Sequence, residues 1–138
     1  MLAIVPHYRI SQAASLLGVS DDTVRRWVDA GEIVASADDA GRKVVDGAEL
    51  ARFAADQARP VPDPSGVARS ARNRFVGLVT AVVSDRVMSQ VEMLCGGQRV
   101  VSLMSTEAVR ELDLQPGSLA VAVVKATNVV VETPGGAA

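Results

Sequence analysis

The stretch "RPVPDPSGV" at residues 59–67 constrains this chain more than any other feature. Its three prolines remove backbone donors and bias the residues before them away from helix, so no regular element can run through it. Upstream of it, apolar residues recur at helical spacing; downstream, they alternate. A periodicity that changes across a proline-rich segment predicts two domains joined by an extended, semi-rigid linker. In a chain of 138 residues this gives a first domain at 1–58, a linker at 59–67, a second domain at 68–133 and a frayed tail at 134–138.

The first domain reads as three short helices and a hairpin. Ser11 is an N-cap for "QAASLL", which Gly18 ends. Ser20 is a second N-cap, followed by Asp21 and Asp22, where negative charge suits the helix dipole. In "DDTVRRWVDA" the residues Val24, Trp27 and Val28 share one face, and Arg25 and Arg26 project away from it. "EIVASADDAGRKVVDG" alternates around a glycine-centred turn, as a hairpin does. A third helix, "GAELARFAADQAR", turns Leu50 and Phe53 inward.

The second domain supplies the apolar alternating runs "RFVGLVTAVV", "RVMSQVEML", "RVVSLM" and "SLAVAVVKATNVVVE", interrupted by one helical segment, "STEAVRELDL". Five strands and a helix in this length fit a small closed barrel of the oligonucleotide/oligosaccharide-binding type. The fold class expected for the whole chain is therefore α+β. Aromatic residues make up only 3% of the sequence, so both cores must be built from Val, Leu, Ile and Ala.

Several function classes drop out. One histidine (His7) and one cysteine (Cys95) cannot form a His/Cys metal site within a chain, and no nucleophile stands with a base, so no enzyme is expected. "MLAIVPHYR" has neither a charged leader nor a long apolar run, and "LAVAVV" is too short to span a bilayer. A cytoplasmic location and no membrane partner are expected. The formal net charge is −2, so a claim on nucleic acid has to rest on local arrangement rather than on a basic domain.

That arrangement exists. Two short helices joined by "LLGVS" make a helix-turn-helix signature, in which the first helix braces the second against the major groove. "YRISQAASLLGVSDDTVRRWVDAGEI" followed by "AGRKVVDGAELARF" resembles the MerR/excisionase-like winged helix-turn-helix family over about residues 8–56. The resemblance implies double-stranded DNA as partner, Arg25 and Arg26 on the recognition helix, and Arg42 and Lys43 on a wing that touches backbone. Asp21 and Asp22 are at odds with phosphate unless they accept from cytosine N4.

A knot of donors, "SARN" at residues 70–73, stands where the β-rich region begins, and donors suit an anion. "MSTEAVRELDL" adds hydroxyls at a helix start, and "VVKATNVVV" adds a lysine among small and apolar residues. On spacing alone, that lysine reads as a strand residue reaching water. Together these segments resemble the Mop (molybdenum-pterin-binding) domain, one of the TOBE domains, in one copy over about residues 68–132. The resemblance implies a five-stranded barrel that binds molybdate or tungstate between the subunits of a homodimer or hexamer. The oxyanion site it implies is Ser70, Ala71, Arg72 and Asn73, with Ser105, and with Lys125, Ala126 and Thr127. Ala108 stands where the family often has a second serine, and Asp113 replaces a usual glycine. The expected function is a molybdate- or tungstate-binding transcriptional regulator. Its rivals are an oligomeric molybdate store, and a DNA-architectural protein whose barrel serves only self-association.

Overall fold

The computed structural model describes residues 5–58, 62–64, 66 and 72–134. The chain divides into two compact units, 1–60 and 61–138.

In the first unit, β1 (His7–Arg9) leads directly into α1 (Ile10–Leu17), and α2 (Asp21–Asp29) follows after a short turn. Gly18 makes that turn in the left-handed region, and the Val19 N–H returns to the Ala14 carbonyl at 3.0 Å. Ser20 caps α2, its hydroxyl accepting from the Thr23 N–H at 3.2 Å. β2 (Ala35–Ala37) and β3 (Lys43–Asp46) form an antiparallel hairpin, and β1 pairs with the other edge of β3 to give the order β1-β3-β2. α3 (Gly47–Gln57) is capped by Asp46. The helices and sheet close over Ile10, Ala13, Ala14, Val24, Ile33, Val45, Leu50 and Phe53, with Trp27 packed on Phe53 at a ring separation of 4.8 Å. One cap differs from expectation. Helix α1 begins at Ile10 with Arg9 in the N-cap position, and Ser11 lies inside the first turn. The Gln12 side chain accepts the Arg9 N–H at 2.9 Å, and this fixes the helix start two residues earlier.

In the second unit, β4 (Asn73–Ser84), β5 (Met88–Cys95), β6 (Gln98–Ser105) and β7 (Leu119–Val124) form one antiparallel sheet in the order β6-β5-β4-β7. α4 (Thr106–Glu111) connects β6 to β7. A register shift between Val79 and Ala81 bends β4, and Val79, Val91, Met93, Cys95 and Val109 are buried in the resulting curl. Gly77 is required by close approach, because a Cβ there would press on the Leu94 carbonyl and the Cys95 sulfur.

The expected five-stranded closed barrel is not what the described residues form. They make a four-stranded, half-closed sheet whose outer strands β6 and β7 each lack a second neighbour. The apolar run "SLAVAVVKATNVVVE" leaves the ladder at Lys125, where a single 3₁₀ turn (Ala126–Asn128) redirects the chain. Val130 and Val131 then lie outside any strand, 82% and 84% exposed. Alternation specified a strand there, but a strand needs an edge to pair with, and the turn carries this one off β7.

Candidate functional site

The first unit gathers basic side chains on one concave surface. α2 buries Val24 completely, which leaves Arg25 and Arg26 exposed on its outer side. Arg25 donates to Asp22 Oδ1 at 3.2 Å, and Arg26 donates to Thr23 Oγ1 at 3.3 Å. Arg42 sits in the β2–β3 turn. There Asp38 Oδ1 accepts the N–H groups of Ala40 and Arg42 at 2.9 and 2.8 Å, while Arg42 Nε donates to Asp38 Oδ2 at 3.1 Å. The Arg42 N–H leads the effects that hold the Asp38 carboxyl below its ordinary value. Lys43 opens β3, paired with Ala37. Arg25, Arg42 and Lys43 line a concavity of about 400 Å³ together with Arg9, Ile10, Ser11 and Asp21. Arg26 is outside it. Arg9 escaped the sequence reading because only the β1–β3 pairing, Arg9 opposite Val44, brings it beside Lys43.

The second unit distributes its donors between the two ends of its sheet. Asn73 pairs with Val124, so Arg72 and Asn73 at the start of β4 share an end with Lys125, Ala126 and Thr127, which follow β7. Ser70 and Ala71 lie outside the described residues. Lys125 is exposed and stands in the N-cap position of the 3₁₀ turn, not within a strand. The nearby Arg74 is engaged elsewhere, donating from Nε to Asp63 Oδ2 at 2.6 Å.

Ser105 is at the other end. It pairs with Met88, and Ser84 pairs with Ser89. The 12 residues of β4 span roughly 36 Å along the strand at about 3.3 Å per residue. The sheet therefore does not bring Ser105 to Lys125 within a chain. Ser105 Oγ caps α4 by accepting the Ala108 N–H at 3.1 Å, which leaves its own proton free to donate.

Thr106 has no such freedom. It is buried, and its hydroxyl donates to the Asp85 carbonyl at 2.9 Å. It must then accept from Ser89 at 2.8 Å, and Ser89 from Ser84 at 2.6 Å. This chain of hydroxyls holds the α4 start against the β4–β5 turn. Asp85 braces the same turn, its carboxylate accepting the Val87 and Met88 N–H groups, both at 2.8 Å. Those bonds keep its carboxyl below the usual range. Sequence alone did not separate the roles of Ser105 and Thr106.

Asp113, the departure from glycine, has φ +52°. It closes α4 in a Schellman arrangement, with the Leu114 N–H on the Val109 carbonyl at 3.0 Å and the Asp113 N–H on the Arg110 carbonyl at 3.1 Å. A left-handed residue is what glycine supplies there.

Among the described residues no group of three or more His, Cys, Asp or Glu could hold a metal ion. The Cys95 thiol is buried, which pushes its pKa up and keeps it protonated. No described helix is long and apolar enough to cross a membrane.

Two family models match the sequence: a helix-turn-helix domain over residues 8–58 and a TOBE domain over residues 69–131. Among curated relatives, the molybdenum transport protein ModE of Herbaspirillum seropedicae is 40% identical over 65 residues, 46% of this chain and 24% of its own. This chain thus spans about a quarter of that relative. Molybdenum-pterin-binding protein 3 of Clostridium pasteurianum is 35% identical over 63 residues, 45% of this chain and 93% of its own. The solved structure of a molybdate-binding protein from Sporomusa ovata is 33% identical, with a TM-score of 0.47, covering 49% of this chain and all of that one. The chain belongs to the TOBE-domain family that includes the molybdenum-pterin-binding proteins, and it carries a helix-turn-helix domain ahead of its TOBE domain.

Proposed function

We propose that this protein is a molybdate-responsive, DNA-binding transcriptional regulator. One observation carries the reading: the same chain pairs a helix-turn-helix bearing a basic concavity with a TOBE domain whose sheet ends carry hydrogen-bond donors. In the first unit, Arg25 and Arg26 on α2 face the major groove, and Arg42 and Lys43 on the β2–β3 hairpin act as a wing on the backbone. In the second, Ser70, Ala71, Arg72 and Asn73 with Lys125, Ala126 and Thr127 form one half of an oxyanion site, and Ser105 forms the other. Because these halves stand at opposite ends of the sheet, the site closes only where two copies meet, each giving a different end. Self-association also covers the exposed valines at residues 129–131 and the open sheet edges.

Molybdate and tungstate suit this donor set. Both are fully deprotonated dianions at neutral pH, whereas phosphate carries a proton that needs an acceptor. Lys125 and backbone N–H groups can only donate, and Ser105 Oγ already accepts the Ala108 N–H, so the phosphate proton is poorly matched, at a cost of about 1–3 kcal/mol where it is buried unpaired. Lys125 supplies the compensating charge.

A second reading, a molybdate store, draws on the near-complete match of the C-terminal region to a molybdenum-pterin-binding protein. The two readings part on coupling. For a regulator, molybdate changes the affinity for its DNA site by about 5- to 150-fold, and DNA changes molybdate affinity by the same factor. The measurement is fluorescence anisotropy of the full chain on a selected duplex, with and without molybdate, for wild type and Lys125→Ala. We expect the shift in wild type only, with phosphate inert. Molybdate binding with an unchanged DNA affinity makes the protein a store; an equal thermal shift from phosphate removes the oxyanion site as assigned.

A further inference from the structure

We propose that the concavity of the first unit seats a phosphate of the DNA backbone, and that Arg9 is its leading free cation. This rests on the DNA-binding reading above and adds to it both a residue and a position. Four basic side chains from separate parts of the chain line the concavity: Arg9 at the end of β1, Arg25 on α2, and Arg42 and Lys43 at the hairpin. Residues 1–60 hold seven basic and nine acidic groups, yet four of those seven converge here beside a single lining acid, Asp21. A concave wall focuses such a charge where a flat face would spread it.

The four cations are not equivalent. Arg25 and Arg42 already face carboxylates, Asp22 at 3.2 Å and Asp38 at 3.1 Å, so a phosphate must share or displace an ion pair. Arg9 and Lys43 make no ion pair among the described residues. Their backbones are fixed at neighbouring positions along β3, on its two edges: Arg9 of β1 lies opposite Val44, the residue after Lys43, and Lys43 lies opposite Ala37 of β2. The Arg9 N–H is held by Gln12 as well. The Arg9 guanidinium, the Lys43 ammonium and the Ser11 hydroxyl line one concavity, and their donors match the oxygens of a phosphodiester. Such a contact sets position and carries no sequence information, so it acts equally on specific and mixed-sequence DNA.

The test uses the full chain and a mixed-sequence duplex, titrated between about 50 and 200 mM salt. Losing one phosphate contact makes the log–log salt slope shallower by about 0.9, so the ratio of wild-type to Arg9→Gln affinity falls roughly 3.5-fold across that fourfold step. Lys43→Gln should behave alike. Arg9→Lys, which keeps the charge, should retain the wild-type slope. Arg52→Gln, whose arginine is bound to Glu49 and Asp56 on α3, should match wild type. A folded Arg9→Gln protein with the wild-type slope overturns the inference and leaves DNA binding intact. Wild-type protein with no salt-dependent affinity for duplex overturns both.

Discussion

The two units of this chain treat their apolar residues in opposite ways. Among the described residues, the first buries Ile10, Val24, Ile33, Val45, Leu50 and Phe53 under three helices and a small sheet, and exposes only Val5, Leu16 and Val34 among its large hydrophobics. The second, among its described residues, buries Val79, Val91, Met93, Cys95 and Val109, and exposes fourteen large hydrophobics, from Phe75 to Val131. A helix pairs its interior backbone groups within itself and, once its ends are capped, needs only its side chains covered, so a small helical unit can close alone. A sheet curled halfway leaves two edges and part of a face uncovered. The first unit covers its core within one chain, and the second leaves apolar surface that the proposed self-association would cover.

The strongest way to break this contrast is to damage the closed core. Phe53→Ala removes the ring packed on Trp27 and should cost about 3–5 kcal/mol, unfolding the first unit. Trp27 is the sole tryptophan, so its fluorescence reports that transition alone, while ligand-dependent melting follows the second unit. Loss of both in one transition would make the units a single cooperative body.

Next in size is Gly77→Ala. The added methyl meets the Leu94 carbonyl and the Cys95 sulfur, so β4 must move off β5 at a cost of about 1–3 kcal/mol. Far-UV circular dichroism during denaturation should show the loss confined to the second unit. An unchanged midpoint would mean that the curl of the sheet is loose.

Asp113→Gly works in the other direction. It relieves a left-handed aspartate and should stabilise the second unit by about 0.5–1 kcal/mol, read as a higher denaturation midpoint. The smallest effect on folding belongs to Val130→Asp with Val131→Asp, within about 0.5 kcal/mol for isolated chains because both side chains are already in water. The same pair should weaken self-association in sedimentation. An unaltered assembly would place the subunit contact elsewhere.

Much of the first unit was legible because its signals are local. The Ser20 cap, the Gly18 turn and the faces of α2 and α3 each depend on residues within one turn of each other. What escaped there was a side-chain competition: Gln12 takes the Arg9 N–H and starts α1 before Ser11. In the second unit the strands were legible by alternation, but the fate of the last one was not. "NVVVE" satisfies the strand pattern, and nothing local says that the 3₁₀ turn before it carries it off the open edges of its own sheet. The hydroxyls posed the same problem. Ser105 and Thr106 are neighbours in sequence, yet only tertiary structure turns Thr106 inward onto Asp85 and leaves Ser105 with a proton to give. The departure at Asp113 was visible as a residue type, and its left-handed backbone emerged only with the Schellman closure of α4.

The opposed ends of the second sheet also govern how a shared ligand responds to dilution. With Ser105 at one end and Lys125 at the other, an isolated chain can offer only half of any site that needs both. Occupancy then follows mass action in three bodies, two chains and one ion, so at low saturation halving the protein at constant ligand lowers the fraction of filled sites about twofold and their concentration about fourfold. An apparent dissociation constant measured at one protein concentration would not transfer to another. The abundance of the protein would itself set the ligand level at which such a site fills.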